Sequence, residues 1–105
     1  MTSLLITGAS GFIGRHLLVR LNPQLYDPVY CLSRSEETAR KLGEQKHLRW
    51  LVGSLFDSHL YGDCLESTDV VIHLAATTGK APRAEYFRVN ADGTRHLLAQ
   101  CQRRG

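Results

Sequence analysis

The sequence predicts an α/β fold, in which four parallel strands form a doubly wound sheet, in the order 3-2-1-4, with helices on both faces. Short apolar runs alternate with amphipathic runs of helical period along the whole chain, which is typical of parallel sheets covered by helices. A glycine-rich stretch, residues 7–14, joins the first apolar run to the first helical run. Because crossovers between parallel strands are right-handed, the strand order follows, and a ligand crevice is expected where the first and fourth strands diverge.

The four strands are predicted at apolar runs bounded by turn residues: β1 at 3–7, β2 at 29–32, β3 at 48–52 and β4 at 69–76. Capping residues predict the helices between them: α1 at about 11–21, α2 from Ser33 or Ser35 to about 42, α3 from Asp57 or Ser58 to 65, and a last helix from Pro82 to about 104. Helical spacing turns five apolar side chains of α1 towards the sheet: Phe12, Ile13, Leu17, Leu18 and Leu21. In the last helix the same spacing selects Tyr86, Val89, Leu97, Leu98 and Cys101.

The length of 105 residues predicts one small domain, residues 1–105. Its fourth strand is a continuous apolar run, which suits a strand paired on both sides, yet nothing after the last helix can pair with it. We therefore expect either that another chain covers this edge or that these residues are the N-terminal part of a larger domain, and we favour the second. The last helix and the β4 edge are also the expected surfaces of a homodimer or other self-association.

Composition and charge exclude several classes of function. The net charge is +3 and only Arg103 and Arg104 lie together, so the chain lacks the basic cluster of a nucleic-acid-binding protein. The three cysteines form no CxxC pair, so neither a disulfide framework nor a zinc site is predicted, and a reducing cytoplasm is the default compartment. Cys31 is expected to be a small buried hydrophobe and His73 a core histidine, because no metal-ligand spacing occurs. No apolar run has the length of a membrane span.

The glycine-rich stretch predicts a site for an anion. Gly8 allows a sharp turn off β1, Gly11 lets the backbone approach a pyrophosphate, and Gly14 lets α1 pack close to the strand. The amide groups of the first helical turn, including those of Phe12 and Ile13, would then point unpaired at the phosphates. The alternative is an ordinary strand-to-helix turn, but the position after the first strand favours binding of a dinucleotide cofactor.

Four motifs follow one another along the chain: Thr7-Gly8-xx-Gly11-xx-Gly14, the stretch 53–57, the stretch 69–76 and the stretch 89–94. In this order they resemble the extended short-chain dehydrogenase/reductase family, which comprises NAD(P)-dependent epimerases, dehydratases and reductases. The resemblance spans essentially the whole chain. It implies a Rossmann fold that binds NAD or NADP in the crevice between β1 and β4.

The glycine turn and the resemblance together predict the residues that hold the cofactor: Gly8, Ser10, Gly11, Phe12, Ile13, Gly14, Arg15, Arg34, Ser54, Leu55, Leu74, Ala75 and Ala76. Arg34 lies 20 residues after Gly14, at the end of β2. An acidic residue there would bind the ribose 2′-hydroxyl of NAD, whereas an arginine can pair with the 2′-phosphate of NADP. The position therefore favours NADP over a merely solvated charge. Arg15 would either reach the same phosphate or remain an exposed residue of the first turn.

Two positions depend on the resemblance for their interpretation. The family usually has an aspartate beside the adenine where this chain has Ser54, which would either bond the ring or simply belong to a turn. The asparagine that matches Asn90 supports the family's active site from a local helix distortion, and Gly93 favours such an irregular helix here. Asp57 is interpreted as a helix cap rather than a catalytic acid.

The family's catalytic Tyr-xxx-Lys pair has no counterpart, since no tyrosine of this chain has a lysine four residues later. The tyrosine would act as the acid or base on a carbonyl or hydroxyl group. We therefore predict the NADP-favouring, or else NAD-binding, part of an epimerase/dehydratase or reductase, which by itself binds the cofactor but takes a small-molecule substrate only with further residues. The alternative is a non-catalytic dinucleotide sensor of the same fold.

Overall fold

The computed structural model describes residues 1–42, 47–75 and 83–104. Its strands and helices alternate in the predicted order: β1 (Thr2–Thr7), α1 (Phe12–Arg20), β2 (Tyr26–Ser33), α2 (Glu36–Leu42), β3 (Leu48–Val52), α3 (Ser58–Leu65), β4 (Val70–His73), α4 (Arg83–Phe87), a π-helix (Arg88–Gly93) and α5 (Thr94–Arg104). Within these ranges, no helix combines the length and the apolar character that crossing a membrane requires.

The four strands form one parallel sheet in the order β3-β2-β1-β4, which confirms the predicted topology. The central strand β1 pairs on both sides, so that Leu4 lies opposite Val29 of β2 and Val70 of β4. At its other end, Thr7 lies opposite Leu32 and His73. The carboxyl ends of all four strands therefore meet at one edge of the sheet, where open α/β sheets bind their ligands.

The fourth strand is shorter than the apolar run predicts, because it ends at His73. Its neighbour β1 ends at Thr7, and the chain turns away at Gly8, so no strand remains for the following residues to pair with. Leu74 makes one last backbone bond, from its N–H to the carbonyl oxygen of Thr7 at 3.1 Å. The rest of the predicted strand is a loop at Leu74 and Ala75, and Ala76 lies outside the described residues.

Alternate side chains of the sheet pack against helices on opposite faces, as a doubly wound fold requires. The core on the first face consists of Leu4, Ile6, Ala9, Leu18, Val29, Cys31 and Leu48. The core on the second face consists of Leu5, Leu32, Leu55, Tyr61, Leu65 and Leu97. Burial raises the pKa of the Cys31 thiol to about 12, so it stays protonated and serves as the buried apolar group that the sequence predicts.

The predicted sheet-facing side of α1 is wrong at its first turn. Phe12 and Ile13 are 74% and 66% exposed, whereas Leu18 is buried. The helix turns Gly14 and Leu18, which are four residues apart, towards the sheet, and helical rotation then carries Phe12 to the opposite side. The apolar pattern misleads here because the residue of closest approach is a glycine, which carries no apolar side chain to mark its position.

The last helix is divided into α4, the π-helix and α5, which confirms the irregularity that Gly93 predicts. Val89 and Leu97 are buried as expected, but Leu98 is 59% exposed and Gln100 is buried instead. A π-helix has more residues per turn than an α-helix, so it changes which side chains of the following helix face the sheet. The prediction for Leu98 is therefore wrong, and that for the Tyr86 side chain lies outside the described residues.

Two predicted helix starts are resolved by backbone contacts. The Ala39 N–H donates to the Ser35 carbonyl oxygen at 3.1 Å, so α2 begins after Ser35 and not after Ser33. Asp57 precedes α3 as predicted, but its side chain makes no capping bond to the helix. Its carboxylate instead accepts the Ser54 N–H at 2.8 Å, which ties the loop after β3 to the start of α3.

Candidate functional site

The turn between β1 and α1 requires glycine at its first position. Gly8 has a φ of +69°, in the left-handed region where L side chains are strained. A Cβ atom built on Gly8 would lie 2.6 Å from the Ala75 nitrogen and 2.8 Å from the Ala75 Cα. The turn therefore packs directly against the backbone that follows β4, with no room for a side chain.

The other two glycines of the motif have different roles. Gly11 precedes α1 in an extended conformation that any residue can adopt, and it is exposed. Among the described residues, a Cβ atom there would meet only the Gly8 carbonyl oxygen, at 3.3 Å. On Gly14, by contrast, it would lie 2.5 Å from that oxygen and 2.6 Å from the Ala9 carbonyl oxygen. Gly14 thus allows the helix to contact the turn, whereas Gly11 leaves the outer side of the turn open.

The N-terminus of α1 is electrostatically suited to an anion. No side chain caps this end of the helix, and its first turn contains no acidic residue. Within the described part of the chain, the amide groups of Phe12 and Ile13 meet no acceptor. Unpaired first-turn amides and the positive end of the helix dipole favour a phosphate group at this position.

A cavity of about 560 Å³ opens beside this turn, at the carboxyl ends of the strands. Its walls come from the segments that follow β1, β2, β3 and β4, together with the start of the π-helix: Gly8, Ser10, Gly11, Leu32, Ser33, Arg34, Ser35, Gly53, Ser54, Leu55, Phe56, Leu74, Ala75, Arg88 and Val89. The volume lies within the range of small-molecule sites. The cavity occupies the crevice where the strand order predicts a ligand.

Most of the predicted cofactor-binding residues are brought together in these walls: Gly8, Ser10, Gly11, Arg34, Ser54, Leu55, Leu74 and Ala75. Others do not line the cavity. The side chains of Phe12, Ile13 and Arg15 are exposed on α1, and Gly14 is buried beneath the turn. Ala76 lies outside the described residues, and the contact of each residue with a cofactor stays a prediction.

Asn90 lies in the π-helix, where the resemblance expects a local distortion. Its backbone carbonyl oxygen accepts the Thr94 hydroxyl at 2.9 Å, and the residue is exposed. The neighbouring Arg88 and Val89 line the cavity, but Asn90 does not. Its supporting role in an active site stays a prediction.

Arg34 extends from the end of β2 into the cavity wall and is exposed. Among the residues that the structure describes, it has no hydrogen bond and no ion pair.

The serines on either side of Arg34, Ser33 and Ser35, also line the cavity, although the sequence suggests them only as helix caps. The buried Ser33 hydroxyl accepts the Ser35 N–H at 3.0 Å and lies 2.8 Å from the Ser10 hydroxyl oxygen. A run of hydroxyl residues around the arginine is the signal that could have identified them.

Arg88 and Phe56 form a second wall that sequence reasoning missed. The guanidinium carbon of Arg88 lies 4.6 Å from the centre of the Phe56 ring, in a cation–π contact. An Arg88 nitrogen also lies 3.8 Å from a carboxylate oxygen of Glu85. No local signal marks either residue, because the π-helix and the turn after β3 meet only in the folded chain.

Ser54 belongs to the turn after β3. Its hydroxyl oxygen accepts the Phe56 N–H at 3.1 Å, while its own N–H donates to Asp57. Both groups of the residue therefore stabilise the turn, as the alternative interpretation of Ser54 expects. Neither of these two hydrogen bonds uses the hydroxyl proton of Ser54. The residue also lines the cavity.

His73 is the core histidine that the sequence predicts, since both ring nitrogens have protein partners, Thr7 and Thr94. Burial lowers the pKa of its imidazole. In the described ranges, no group of three or more His, Cys, Asp or Glu side chains is placed to hold a metal ion.

Comparison with known proteins identifies the family. Residues 4–105 match the family described as the NAD dependent epimerase/dehydratase family. The chain belongs to this family. The resemblance drawn from the four motifs is thereby confirmed.

Two curated relatives illustrate the range of the family. The chain is 33% identical over 103 residues to a decarboxylating sterol-4-alpha-carboxylate 3-dehydrogenase of Dictyostelium discoideum, covering 96% of this chain and 31% of the relative. It is 38% identical over 98 residues to a 4-hydroxy-2-methyl-3-oxo-4-farnesyl-3,4-dihydroquinoline-1-oxide ketoreductase of Stigmatella aurantiaca, covering 90% of this chain and 28% of the relative. The chain thus spans less than a third of the length of either relative.

Solved structures of the family have the same architecture. The dTDP-glucose 4,6-dehydratase DesIV of Streptomyces venezuelae, with NAD and TYD bound, superposes with a TM-score of 0.85 at 26% identity. The match covers 99% of this chain and 37% of DesIV. The UDP-glucuronic acid 4-epimerase of Bacillus cereus, in complex with UDP-glucuronic acid and NAD, gives 0.81 at 25% identity, covering 96% of this chain and 36% of the epimerase.

Proposed function

We propose that the cavity at the carboxyl ends of the strands binds a nicotinamide dinucleotide, and that it binds NADP in preference to NAD. In this role the chain is the cofactor-binding part of an epimerase/dehydratase or reductase of the extended short-chain type. Membership of the family and the NAD bound to the solved relatives support the cofactor class. The preference for NADP depends on the residues of this chain alone.

The residues around the turn fit the two phosphates of such a cofactor. The amides of Phe12 and Ile13, which meet no acceptor among the described residues, would face an anion at the N-terminus of α1, and Gly11 exposes the turn without a side chain. This part would hold the pyrophosphate, as glycine-rich turns of dinucleotide sites do. When bound, the cofactor supplies hydride transfer, while this part of the protein supplies binding and orientation.

The charge of the cavity wall supports the preference for NADP. No described lining residue is acidic, whereas two arginines, Arg34 and Arg88, line the cavity. Selection of NAD ordinarily uses an acidic residue at the end of the second strand, where it binds the ribose 2′-hydroxyl. Here that position holds Arg34, which is exposed and without a partner among the described residues. The observation that carries the preference is the position of Arg34 in the cavity wall, with no partner among the described residues.

Removing the Arg34 charge tests this preference. NADPH is expected to bind at least tenfold more tightly than NADH, because charge-assisted bonds to the 2′-phosphate contribute about 1.5–3 kcal/mol. The substitution Arg34→Ala should weaken NADPH binding by about 10- to 100-fold and leave NADH binding within about twofold. Isothermal titration calorimetry measures both constants, and Arg20→Ala, which removes an exposed arginine from α1, is the matched control. Equal affinities for the two cofactors in the unmutated chain would refute the assignment of Arg34.

The open edge of the sheet leads to a proposal about the domain. In the described part of the chain β4 pairs only with β1, and Val70 is 46% exposed. Unpaired strand edges template association with other chains. We propose that residues 1–105 form the cofactor-binding part of a larger domain that continues the sheet beyond β4, and that substrate binding and catalysis require those further residues. The length of the relatives supports this proposal.

The 105-residue chain alone is accordingly expected to self-associate through the β4 edge. The substitution Val70→Lys should shift its sedimentation coefficient towards that of a monomer, because an edge lysine disfavours strand pairing. Val52→Lys places the same charge on β3, at the opposite edge of the sheet, where the valine is 42% exposed, and it should leave the distribution unchanged. A chain that sediments as a monomer at all concentrations would contradict this proposal.

A further inference from the structure

Three side chains form a row of hydrogen bonds across the carboxyl ends of β1 and β4. The Thr7 hydroxyl oxygen lies 2.6 Å from Nδ1 of His73, and Nε2 of His73 lies 2.8 Å from the Thr94 hydroxyl oxygen. Thr7 is the last residue of β1, His73 is the last residue of β4, and Thr94 is the first residue of α5. The row thus connects β1 and the edge strand β4 to the helix that follows the π-helix.

The neighbouring bonds assign every proton in this row. The Thr94 hydroxyl donates to the Asn90 carbonyl oxygen at 2.9 Å, so its oxygen can only accept from His73. The Thr7 hydroxyl oxygen already accepts the Ala75 N–H at 3.2 Å and the Leu74 N–H at 3.1 Å, the latter shared with the Thr7 carbonyl oxygen. Its own proton therefore goes to Nδ1 of His73. The imidazole is consequently neutral and carries its proton on Nε2.

A protonated imidazole does not fit this arrangement. Both ring nitrogens would then be donors, and the Thr7 oxygen would have to accept a third N–H with both of its lone pairs already used. Burial of His73 acts in the same direction, since it lowers the pKa of the ring. Burial therefore favours the neutral ring, and the hydrogen bonds select its Nε2–H tautomer.

The row reaches three walls of the cavity without lining it. Thr7 directly precedes Gly8, whose backbone packs against Ala75. Leu74 and Ala75, which donate to Thr7, line the cavity themselves. At the other end, the carbonyl of Asn90 belongs to the π-helix whose first residues also line it. The spacing of these walls thus depends on a row of groups behind them.

We propose that His73 is a positioning residue of the dinucleotide site, holding the turn after β1, the segment after β4 and the π-helix at one spacing through its Nε2–H tautomer. This inference rests on the proposed binding of a nicotinamide dinucleotide. It gives His73 a role in cofactor binding, in addition to that of a core side chain whose ring nitrogens are both hydrogen-bonded. A core histidine would affect the folding free energy alone, whereas a positioning residue also changes affinity in the folded protein.

Thr94 allows the cleanest test, because Thr94→Val removes the hydroxyl and preserves the shape of the side chain. We expect Thr94→Val to raise the Kd for NADPH about 5- to 10-fold in a protein that remains folded by circular dichroism. Thr94→Ser, which restores the hydroxyl, should return the Kd to within about twofold of the unmutated value. Thr68→Val is the matched control, since the Thr68 hydroxyl likewise donates to a carbonyl four residues earlier, that of Cys64 at 2.7 Å.

Nitrogen-15 spectra of the histidine rings give a readout that does not require a ligand. The His73 ring should show the Nε2–H tautomer in the unmutated chain. In Thr94→Val the tautomer should persist, because Thr7 still donates to Nδ1, but the Nε2 and Hε2 resonances should shift as the hydrogen bond to Thr94 is lost. Unchanged Nε2 and Hε2 resonances in Thr94→Val, or an unchanged Kd, would overturn the positioning role while leaving the proposed function intact. If the unmutated chain binds neither NADPH nor NADH, the proposed function fails, and the positioning role fails with it.

Discussion

The substitution Gly8→Ala is expected to lower the free energy of unfolding by about 2–5 kcal/mol. A φ of +69° costs an alanine about 1–2 kcal/mol. The added Cβ would also lie within 2.8 Å of backbone atoms of Ala75 that cannot rotate away, and overpacking of this kind costs about 1–3 kcal/mol more. Urea unfolding followed by the fluorescence of Trp50 measures the change.

Gly11→Ala is the matched control for this prediction, because it adds the same methyl group three residues later. Gly11 has an ordinary φ of −74°, is exposed, and has a single neighbour at 3.3 Å from the built Cβ atom. The substitution Gly11→Ala should change the free energy of unfolding by less than about 1 kcal/mol. Equal losses at Gly8 and Gly11 would mean that neither the conformation nor the packing of Gly8 determines the turn.

The substitution Gly11→Val is expected to abolish measurable binding of NADPH while the fold is retained. The branched side chain would stand at the start of α1, beside the amides of Phe12 and Ile13, which have no acceptor in the described part of the chain. A pyrophosphate that uses those amides needs the backbone to be accessible, which is the reason for a glycine at this position of dinucleotide-binding turns. We expect the Kd to rise by at least about 100-fold, equivalent to about 2.7 kcal/mol.

Fluorescence titration with NADPH measures this loss, and circular dichroism with urea unfolding shows whether the fold persists. His16→Val is the control, because it places the same side chain on the exposed side of α1, one turn from the helix start. Unimpaired binding by Gly11→Val would mean that the phosphates are held elsewhere and would remove the basis of the proposed function. Loss of binding in both variants would indicate instead that any valine on α1 disturbs the site.

The strands were predictable because their signals are local. Residues 48–52 form an apolar run between turn residues, and the structure has a strand from Leu48 to Val52. Right-handed crossovers then leave one order for four parallel strands, which the observed pairing confirms. Two strand lengths were wrong. β2 was predicted at 29–32 but extends from Tyr26 to Ser33. β4 is shorter than predicted, since a strand ends where its partner ends, and the partner β1 turns at Gly8.

The side chains of the helices were less predictable, for a physical reason that differs between the two helices. In α1 the closest contact with the sheet is Gly14, which an apolar pattern does not mark, so Phe12 and Ile13 were assigned to the wrong side. In α5 the preceding π-helix shifts the side chains that face the sheet, and Leu98 is exposed for this reason. Periodicity assumes a regular helix packed through its apolar residues, and neither helix meets both conditions.

By itself, the sequence determined the fold class, the strand order and the glycine turn, because apolar runs and glycine conformations are decided by residues close together in the chain. Only the tertiary structure decided which side chains share the cavity wall with Arg34. The Ser33 and Ser10 hydroxyls are 23 residues apart, and His73 meets partners 66 residues before it and 21 residues after it. Such meetings depend on strand register and on the extra residue of the π-turn, which no local pattern specifies.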